Sequence, residues 1–228
     1  MIKNNSNKNI QMQEVIQNML INQKGRFSIN NIIEYPANNY KKLKEKAVEC
    51  ERCSLRQNCK QVVMGEGAVD RKIMFIGEAP GGTEDKEGRP FVGRAGNLLN
   101  KIFSAVDIKR ENVYISNIVK CRPPDNRKPS LSEAKACSPI LQAEFDLVQP
   151  KVIVPMGATA LQHLLDEGAS ITESRGEWMQ RGNYYFLPTF HPAYLLRNKN
   201  MKKYVWQDFK KIKAAVNRLQ ELNENNKI

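Results

Sequence analysis

The sequence predicts an α/β fold with three layers, in which helices cover both faces of a central, four-stranded, mainly parallel sheet. Short apolar segments recur along the chain, stretches of helical length separate them, and turns containing Gly or Pro follow them. Strands that alternate with helices favour parallel pairing, because the helix returns the chain to the same end of the sheet. In such sheets a binding site is expected beyond the carboxyl ends of the strands.

The first half of the chain supplies two predicted helices and two predicted strands. Tyr40–Val48 is rich in lysine and has apolar residues four positions apart, the spacing of one helix face. Lys72–Ile76 is an apolar run that ends at Gly77, which is typical of a buried strand entering a turn. Ala95–Val106 again has helical spacing, and Asn112–Ser116 is the second strand.

The second half predicts three helices and two strands. The helix Ser130–Val148 begins with the Ser-x-x-Glu pattern of a capping box. The strand Val152–Pro155 turns at a glycine into the helix Ala158–Leu165. Tyr184–Leu187 is the fourth strand, and the chain ends in a long basic helix, Lys202–Leu222. The two long connections, 77–93 and 188–198, are predicted as loops.

Charge and composition narrow the class of partner. The chain has 228 residues, of which 41% are hydrophobic, enough for one substantial core. Lys and Arg number 36 against 24 acidic residues, so the net charge is +12 and nucleic acid is the favoured partner. There is no run of about eighteen apolar residues, so no membrane partner is expected. Residues 1–35 are predicted to be a polar accessory segment that need not be ordered throughout, and residues 36–228 the folded domain, which we expect to be a monomer.

Five cysteines form the clearest candidate metal site. Cys50 and Cys53 make a C-x2-C pair, Cys121 and Cys137 follow far downstream, and Cys59 is a fifth candidate for four positions. Without a secretory signal, the thiols are expected to stay reduced in a cytoplasm. Their spacing suits zinc and an iron–sulfur cluster equally well. The plainer alternative is that the two downstream cysteines are small core residues.

Three motifs together resemble a known family. They are the loop Gly77–Asp85 with its continuation Gly88–Gly93, Asn117 after the second strand, and the run His191–Leu196 after the fourth. In order and spacing they resemble the family 4 uracil-DNA glycosylases over residues 41–211. The resemblance implies a uracil-DNA glycosylase-like fold and an enzyme that removes uracil from single- or double-stranded DNA. It also implies a structural 4Fe-4S cluster.

The resemblance assigns the cluster ligands and the residues that hold the base. It makes Cys50, Cys53, Cys121 and Cys137 the ligands, with Cys59 as the spare. Phe91 would stack on the extruded base, although a core phenylalanine is as common. The amide of Asn117 offers an acceptor and donors that match N3–H and O4 of uracil but not cytosine. His191 would donate to O2 of the leaving uracil, as a neutral imidazole.

The acidic residues of the loop compete for the water-handling role. The resemblance favours Glu84 as the carboxylate that positions water, and a negative charge there would also favour the cationic sugar. Glu78 is the rival and is expected near the base edge, while Asp85 is the third acidic candidate. The substrate is also expected to touch Ala79 and Gly81, because Gly81 and Gly82 lack side chains and let the backbone of 77–82 approach closely.

Tyr194–Arg197 is the predicted contact to DNA. Leu195 and Leu196 would fill the gap left by the base, and Arg197 would meet the backbone. A half-buried helical turn is the alternative for this stretch. Two motifs depart from the family pattern: Gly82-Thr83 stands where acidic residues are common, and Ala193 stands where a serine is common. A different class of function also stays open, a cluster-containing DNA-binding module of a repair or polymerase complex.

Overall fold

A six-stranded sheet forms the centre of the computed structural model, which describes residues 35–36, 39–70 and 72–225. The strands are β1 (Glu66–Gly67), β2 (Ile73–Gly77), β3 (Tyr114–Asn117), β4 (Val152–Pro155), β5 (Met179–Arg181) and β6 (Tyr184–Phe186). Their order across the sheet is β1-β3-β2-β4-β6-β5. The central strands β3, β2, β4 and β6 run parallel, and the edge strands β1 and β5 pair antiparallel. The predicted parallel sheet is confirmed, and two short edge strands extend it.

The helices follow the predicted order, with additional short helices between them. They are α1 (Tyr40–Val48), α2 (Leu55–Asn58), α3 (Gly82–Glu87), α4 (Arg94–Ala105), α5 (Leu131–Val148), α6 (Ala158–Leu164), α7 (Ile171–Ser174), α8 (Pro192–Arg197) and α9 (Lys202–Asn225). Short 3-10 turns occupy 110–112, 124–126 and 199–201. None of the helices in the described ranges is long and apolar enough to cross a membrane.

Side chains of β2 alternate between two cores, which establishes the three layers. Ile73 and Phe75 point into the core covered by α4 and α9, whereas Met74 and Ile76 point into the core covered by α1 and α5. Every residue of β2 is buried, as expected for a strand covered on both faces. The predicted three-layer α/β class is therefore confirmed.

The two predicted long loops each contain a short helix. Gly88 ends α3 in the left-handed region at φ 72°, where glycine is favoured. Pro192 begins α8. Proline is favoured there because the N–H at the first helical position has no partner within the helix. Six residues are too few to show a helical period in the sequence, so α3 was not predicted. α8 corresponds to the helical turn given as the alternative for Tyr194–Arg197.

The capping box of α5 is present as predicted. The Ser130 hydroxyl accepts from the Glu133 N–H at 3.2 Å, and the Ser130 N–H donates to Glu133 Oε2 at 2.7 Å. Most of the predicted accessory segment, residues 1–34, lies outside the described residues. Tyr35 is described and is buried against the core beneath α1 and α5. The domain boundary stays a prediction.

Candidate active site

The sheet register brings Asn117 and Gly77 side by side at the carboxyl edge. Asn117 ends β3 opposite Gly77, the last residue of β2. A Cβ atom on Gly77 would fall 2.5 Å from Asn117 Oδ1 and 2.5 Å from Cζ of Phe91. The absence of a side chain at Gly77 therefore allows the amide and the aromatic ring to approach each other closely.

The amide oxygen of Asn117 is buried without a partner. The residue is 2% exposed, and its Oδ1 has no hydrogen bond to any described residue. A buried acceptor that lacks a donor costs about 1–3 kcal/mol, so such groups usually have a function. An external N–H donor would satisfy this oxygen.

Phe91 is held in an unusual backbone conformation. Its φ is 53°, in the left-handed region that non-glycine residues rarely adopt, and its side chain is buried. The guanidinium of Arg110 donates to the carbonyl of Phe91 at 3.3 Å and to that of Pro90 at 2.7 Å. Backbone strain of this kind is found mainly where a surrounding structure enforces it at a functional site.

His191 faces Phe91 and has a defined tautomer. The two ring centroids are 5.5 Å apart. His191 Nδ1 accepts a hydrogen bond from the backbone N–H of Ala193 at 3.1 Å, so the proton of a neutral imidazole is on Nε2. Burial, and secondarily the charge of Arg197, lowers the pKa of His191 to about 4. At neutral pH the ring is therefore an uncharged donor through Nε2.

The segment that carries His191 is anchored to neighbouring elements. The Thr189 N–H donates to the carbonyl of Pro155, and the Thr189 carbonyl accepts from Gly157 N–H at 2.8 Å. Its hydroxyl donates to the buried carboxylate of Asp208 on α9 at 2.7 Å. These bonds position the chain two residues before His191.

Glu84 is fixed by the same loop that carries Phe91. The side chain is 8% exposed, and its Oε1 accepts from the N–H groups of Val92 at 3.0 Å and Gly93 at 2.7 Å. Its Oε2 accepts no hydrogen bond from the described part of the chain and would lie 2.8 Å from a Cβ on Gly81. One oxygen therefore orients the carboxylate, and the other can bind water.

The two rival carboxylates have other partners. Asp85 Oδ1 accepts from the backbone N–H groups of Lys60 and Gln61, at 2.8 and 3.4 Å, so Asp85 fastens the segment after Cys59. Glu78 Oε2 accepts from the hydroxyl of Thr159 on α6. Both contacts favour Glu84 for handling water, while Glu78 follows β2 directly, next to the half-buried Ala79.

The predicted DNA contact in α8 is only partly at the surface. Leu195 is 0% exposed and belongs to the core covered by α4 and α9, so its prediction as a wedge residue is wrong. Leu196 is half-buried and Arg197 is exposed. Tyr194 is exposed too and packs on Phe190, with the ring centroids 5.1 Å apart.

The candidate metal site lies on the other core. A small pocket is lined by Cys50, Cys53, Cys121 and Cys137. Cys59 does not line it, although its thiol contacts that of Cys121. Burial raises the pKa of Cys137 to about 11 and raises the pKa of Cys121 as well. A bound cation would reverse this effect by favouring the thiolate forms.

These thiols are not arranged around a single point. Among the described residues, no three Cys, His, Asp or Glu side chains are grouped closely enough to hold one metal ion. A four-iron cluster binds each thiolate through a different iron, so its ligands stand further apart than those of one ion. Four thiols around one pocket are a donor set that an iron–sulfur cluster can take.

Sequence reasoning missed several residues next to the candidate active site. Arg110 and Thr159 gave no local signal. Lys120 and Glu144 are both fully buried and bonded to each other. The position of Glu144 was a usable signal, because it falls on the apolar face of α5 between Leu141 and Val148.

Comparison with known proteins adds an independent finding. A family model described as the uracil DNA glycosylase superfamily matches residues 64–213. The type-4 uracil-DNA glycosylase of Thermotoga maritima is 47% identical over 178 residues, which cover 75% of this chain and 92% of the relative. The type-4 uracil-DNA glycosylase of Sulfurisphaera tokodaii is 43% identical over 181 residues, 75% of this chain and 82% of the relative. The type-4 uracil-DNA glycosylase of Saccharolobus solfataricus is 40% identical over 179 residues, which cover 74% of this chain and 82% of the relative.

Proposed function

The chain belongs to the uracil DNA glycosylase superfamily, and from this premise we infer that it is a uracil-DNA glycosylase of DNA repair. It is a hydrolase that breaks the bond between uracil and deoxyribose and leaves an abasic site. The observation in the structure that best supports this inference is the buried, unpaired amide oxygen of Asn117. We expect it to act as a monomer on uracil in single- or double-stranded DNA, and reduced thiols fit a cytoplasmic location.

We propose that Asn117 selects uracil after the base has left the helix. Extrusion exposes the base edge at a cost of a few kcal/mol, which binding must supply. The N3–H of uracil would satisfy Asn117 Oδ1, and its O4 would accept from the amide nitrogen. Cytosine has an acceptor at N3 and an amine at C4, so it would leave both partners unsatisfied. Phe91 offers a ring face beside this amide for stacking.

We propose that His191 stabilises the departing base. Breaking the glycosidic bond places negative charge on uracil and positive charge on the sugar. The Nε2–H of a neutral imidazole can donate to O2 of uracil as this charge develops. The Ala193 N–H at Nδ1 supports this role because it fixes the tautomer.

We propose that Glu84 positions the attacking water. Its Oε1 is held by two backbone N–H groups, so the carboxylate keeps one orientation. Its Oε2 is available to accept from water, and the negative charge favours the cationic sugar. Gly81 permits close approach to this oxygen. Glu78 and Ala79 would line the base edge.

We propose that α8 contacts the DNA backbone through Leu196 and Arg197. Arg197 is exposed, and Lys199, Lys202 and Lys203 continue the basic surface at the start of α9. Such contacts would give affinity that is independent of sequence and falls with salt.

We propose that Cys50, Cys53, Cys121 and Cys137 hold a structural 4Fe-4S cluster. The common pocket and the absence of Cys59 from its lining support this ligand set. When bound, the cluster would supply a rigid connection between the segment before β1, the segment after β3, and α5. The reaction steps proposed above need no electron from it.

The first experiment tests the uracil-specific site. A uracil-containing oligonucleotide is incubated with the protein in chelator, and abasic sites are then cleaved with alkali. Wild type should give strand cleavage at uracil and none at cytosine or thymine. Asn117→Ala and His191→Ala should each lose about 100-fold or more in excision rate, because the first removes a group that holds the base and the second removes a donor to the charge that develops on it.

Duplex affinity is the control in the same experiment. Neither substitution removes a proposed backbone contact, so both variants should bind a duplex without uracil like wild type. Unchanged excision by both variants would contradict the proposed roles. Binding by wild type without any product would instead support a DNA-binding module.

A further inference from the structure

A lysine and a glutamate form an ion pair inside the core beside the candidate site. The side chains of Lys120 and Glu144 are 1% and 0% exposed, and their charged groups are 2.7 Å apart. Lys120 Nζ also donates to the hydroxyl of Ser116 and to the backbone carbonyl of Asn117, each at 2.7 Å. All three donors of the ammonium group are thus engaged, and one of them holds the residue proposed to read the base.

The glutamate extends the contact to other elements. Glu144 Oε2 accepts from the Ser116 hydroxyl at 2.7 Å. Its Oε1 accepts from the backbone N–H of Gly65 at 2.7 Å and from the hydroxyl of Tyr114 at 3.3 Å. The carboxylate therefore joins α5, β3 and the chain that enters β1.

Stability alone does not explain this pair. The desolvation of two buried charges commonly offsets their attraction, and apolar replacements of similar volume are often neutral or stabilising. What the pair does provide is a fixed geometry, since each bond has a defined partner and direction. Each member of the pair also shares a segment with a proposed cluster ligand, because Cys121 follows Lys120 and Cys137 lies on α5 with Glu144.

We propose that the Lys120–Glu144 pair positions Asn117 for uracil recognition. Lys120 holds the Asn117 carbonyl, which fixes the backbone from which the unpaired amide oxygen is presented. Both are positioning residues, since neither is among the groups proposed to touch the base. This proposal rests on the proposed role of Asn117.

The test uses the double variant Lys120→Met/Glu144→Gln, which removes both charges together and keeps side chains of similar length. Two quantities are measured on the iron-loaded protein: the single-turnover excision rate, and the ratio of affinities for a duplex with 2′-fluoro-2′-deoxyuridine and the same duplex with thymidine. We expect the rate to fall about 10- to 100-fold, the cost of a displaced binding group. The affinity ratio should fall as well, while affinity for the thymidine duplex stays constant.

Glu133→Gln is the matched control. It breaks the Arg127–Glu133 pair at the start of the same helix, 2.6 Å between the charged atoms, without touching β3. It should lower the melting temperature and leave the affinity ratio at the wild-type value. An equal fall in the ratio for Glu133→Gln would overturn the proposal, because it would show a general effect of destabilising α5.

The remaining outcomes separate this proposal from the proposed function. If Asn117→Ala lowers the affinity ratio and the folded double variant does not, the positioning role is wrong and the function stands. If Asn117→Ala leaves the affinity ratio unchanged, Asn117 does not recognise uracil, and the positioning proposal that rests on this role is overturned with it. Should the double variant not fold, Ser116→Ala removes one acceptor of Lys120 and should lower the ratio severalfold, and an unchanged ratio there overturns the proposal.

Discussion

At the scale of single residues, the protonation of His191 makes a testable prediction. Burial first, and Arg197 second, lowers its pKa to about 4, whereas a histidine in an unfolded chain titrates near about 6.5. The ring therefore stays neutral in the folded protein down to about pH 4. When pH is lowered from 8 to 5, we expect kcat/KM for uracil excision not to fall with the titration of an ordinary histidine near about pH 6.5.

Stability should respond differently from activity. Between pH 6.5 and 4 the unfolded chain binds a proton at position 191 that the folded protein does not. The contribution of the neutral His191 to the free energy of unfolding is therefore fully present above about pH 6.5. It is lost as pH falls toward about 4 and does not change further below about pH 4. Chemical denaturation of His191→Gln should therefore show a shallower decline over this range than wild type. Equal slopes for the two proteins would contradict the shifted pKa.

Residue roles could be predicted only where a motif carries them. Glu84, Asn117 and His191 lie in motifs that resemble a family, and the structure gives each a defined environment. Leu195 and Leu196 are alike in sequence, and only the packing of α8 against the core decides that Leu195 is the buried one. Lys120 resembles any solvated lysine in sequence, because its partner Glu144 lies 24 positions away.

At the scale of elements, the loop between α3 and α4 depends on Arg110. Its guanidinium bonds the carbonyls of Pro90 and Phe91 and also Glu66 Oε1 at 3.0 Å. Without it, Phe91 should relax from its left-handed conformation, which costs about 1–3 kcal/mol to maintain. Arg110→Met should lower the free energy of unfolding by about 2 kcal/mol and the excision rate about tenfold.

Arg89 offers a close control for this prediction. It donates to both oxygens of Glu66, at 2.9 Å to Oε2 and 3.1 Å to Oε1, but bonds neither loop carbonyl, and its side chain is 60% exposed. Exposed pairs contribute about 0–1 kcal/mol, so Arg89→Met should leave the excision rate unchanged. Denaturant unfolding and single-turnover excision of both variants provide the comparison. Equal losses from both substitutions would show that Glu66, and not the loop carbonyls, is the important partner.

The helices of seven or more residues and the four apolar strands were predictable, whereas the four- and six-residue helices and the polar edge strands were not. α1 matches its prediction at both ends, and α5 matches from its cap onward, because each shows a full helical period or a capping pattern. The edge strands β1 and β5 have two and three residues, too few for an alternating pattern to emerge. The pairing of β1 with β3 joins residues far apart in the sequence, so the local sequence pattern cannot predict it.

At the scale of the whole molecule, the cysteine pocket joins parts of the chain that the sheet alone does not. Cys50 and Cys53 precede β1, Cys121 follows β3, and Cys137 lies in α5. A cross-link between positions as far apart as Cys53 and Cys121 restricts the unfolded chain by about 4 kcal/mol in the loop-entropy estimate used for disulfides. Iron removal should therefore lower the melting temperature by roughly 10 °C.

The proposed ligand set can be checked without measuring excision. Wild type and Cys59→Ser should both be brown and contain about four irons per chain, as in a 4Fe-4S centre. The serine variant should melt only slightly lower than wild type, because Cys59 is buried beside Cys121. Cys53→Ser should lose the visible absorbance and melt at the lower temperature of the iron-free protein. Loss of iron from Cys59→Ser with retention in Cys53→Ser would reverse the assignment of the spare thiol. A colourless wild type with one bound zinc would instead mean that the pocket contracts around a single ion.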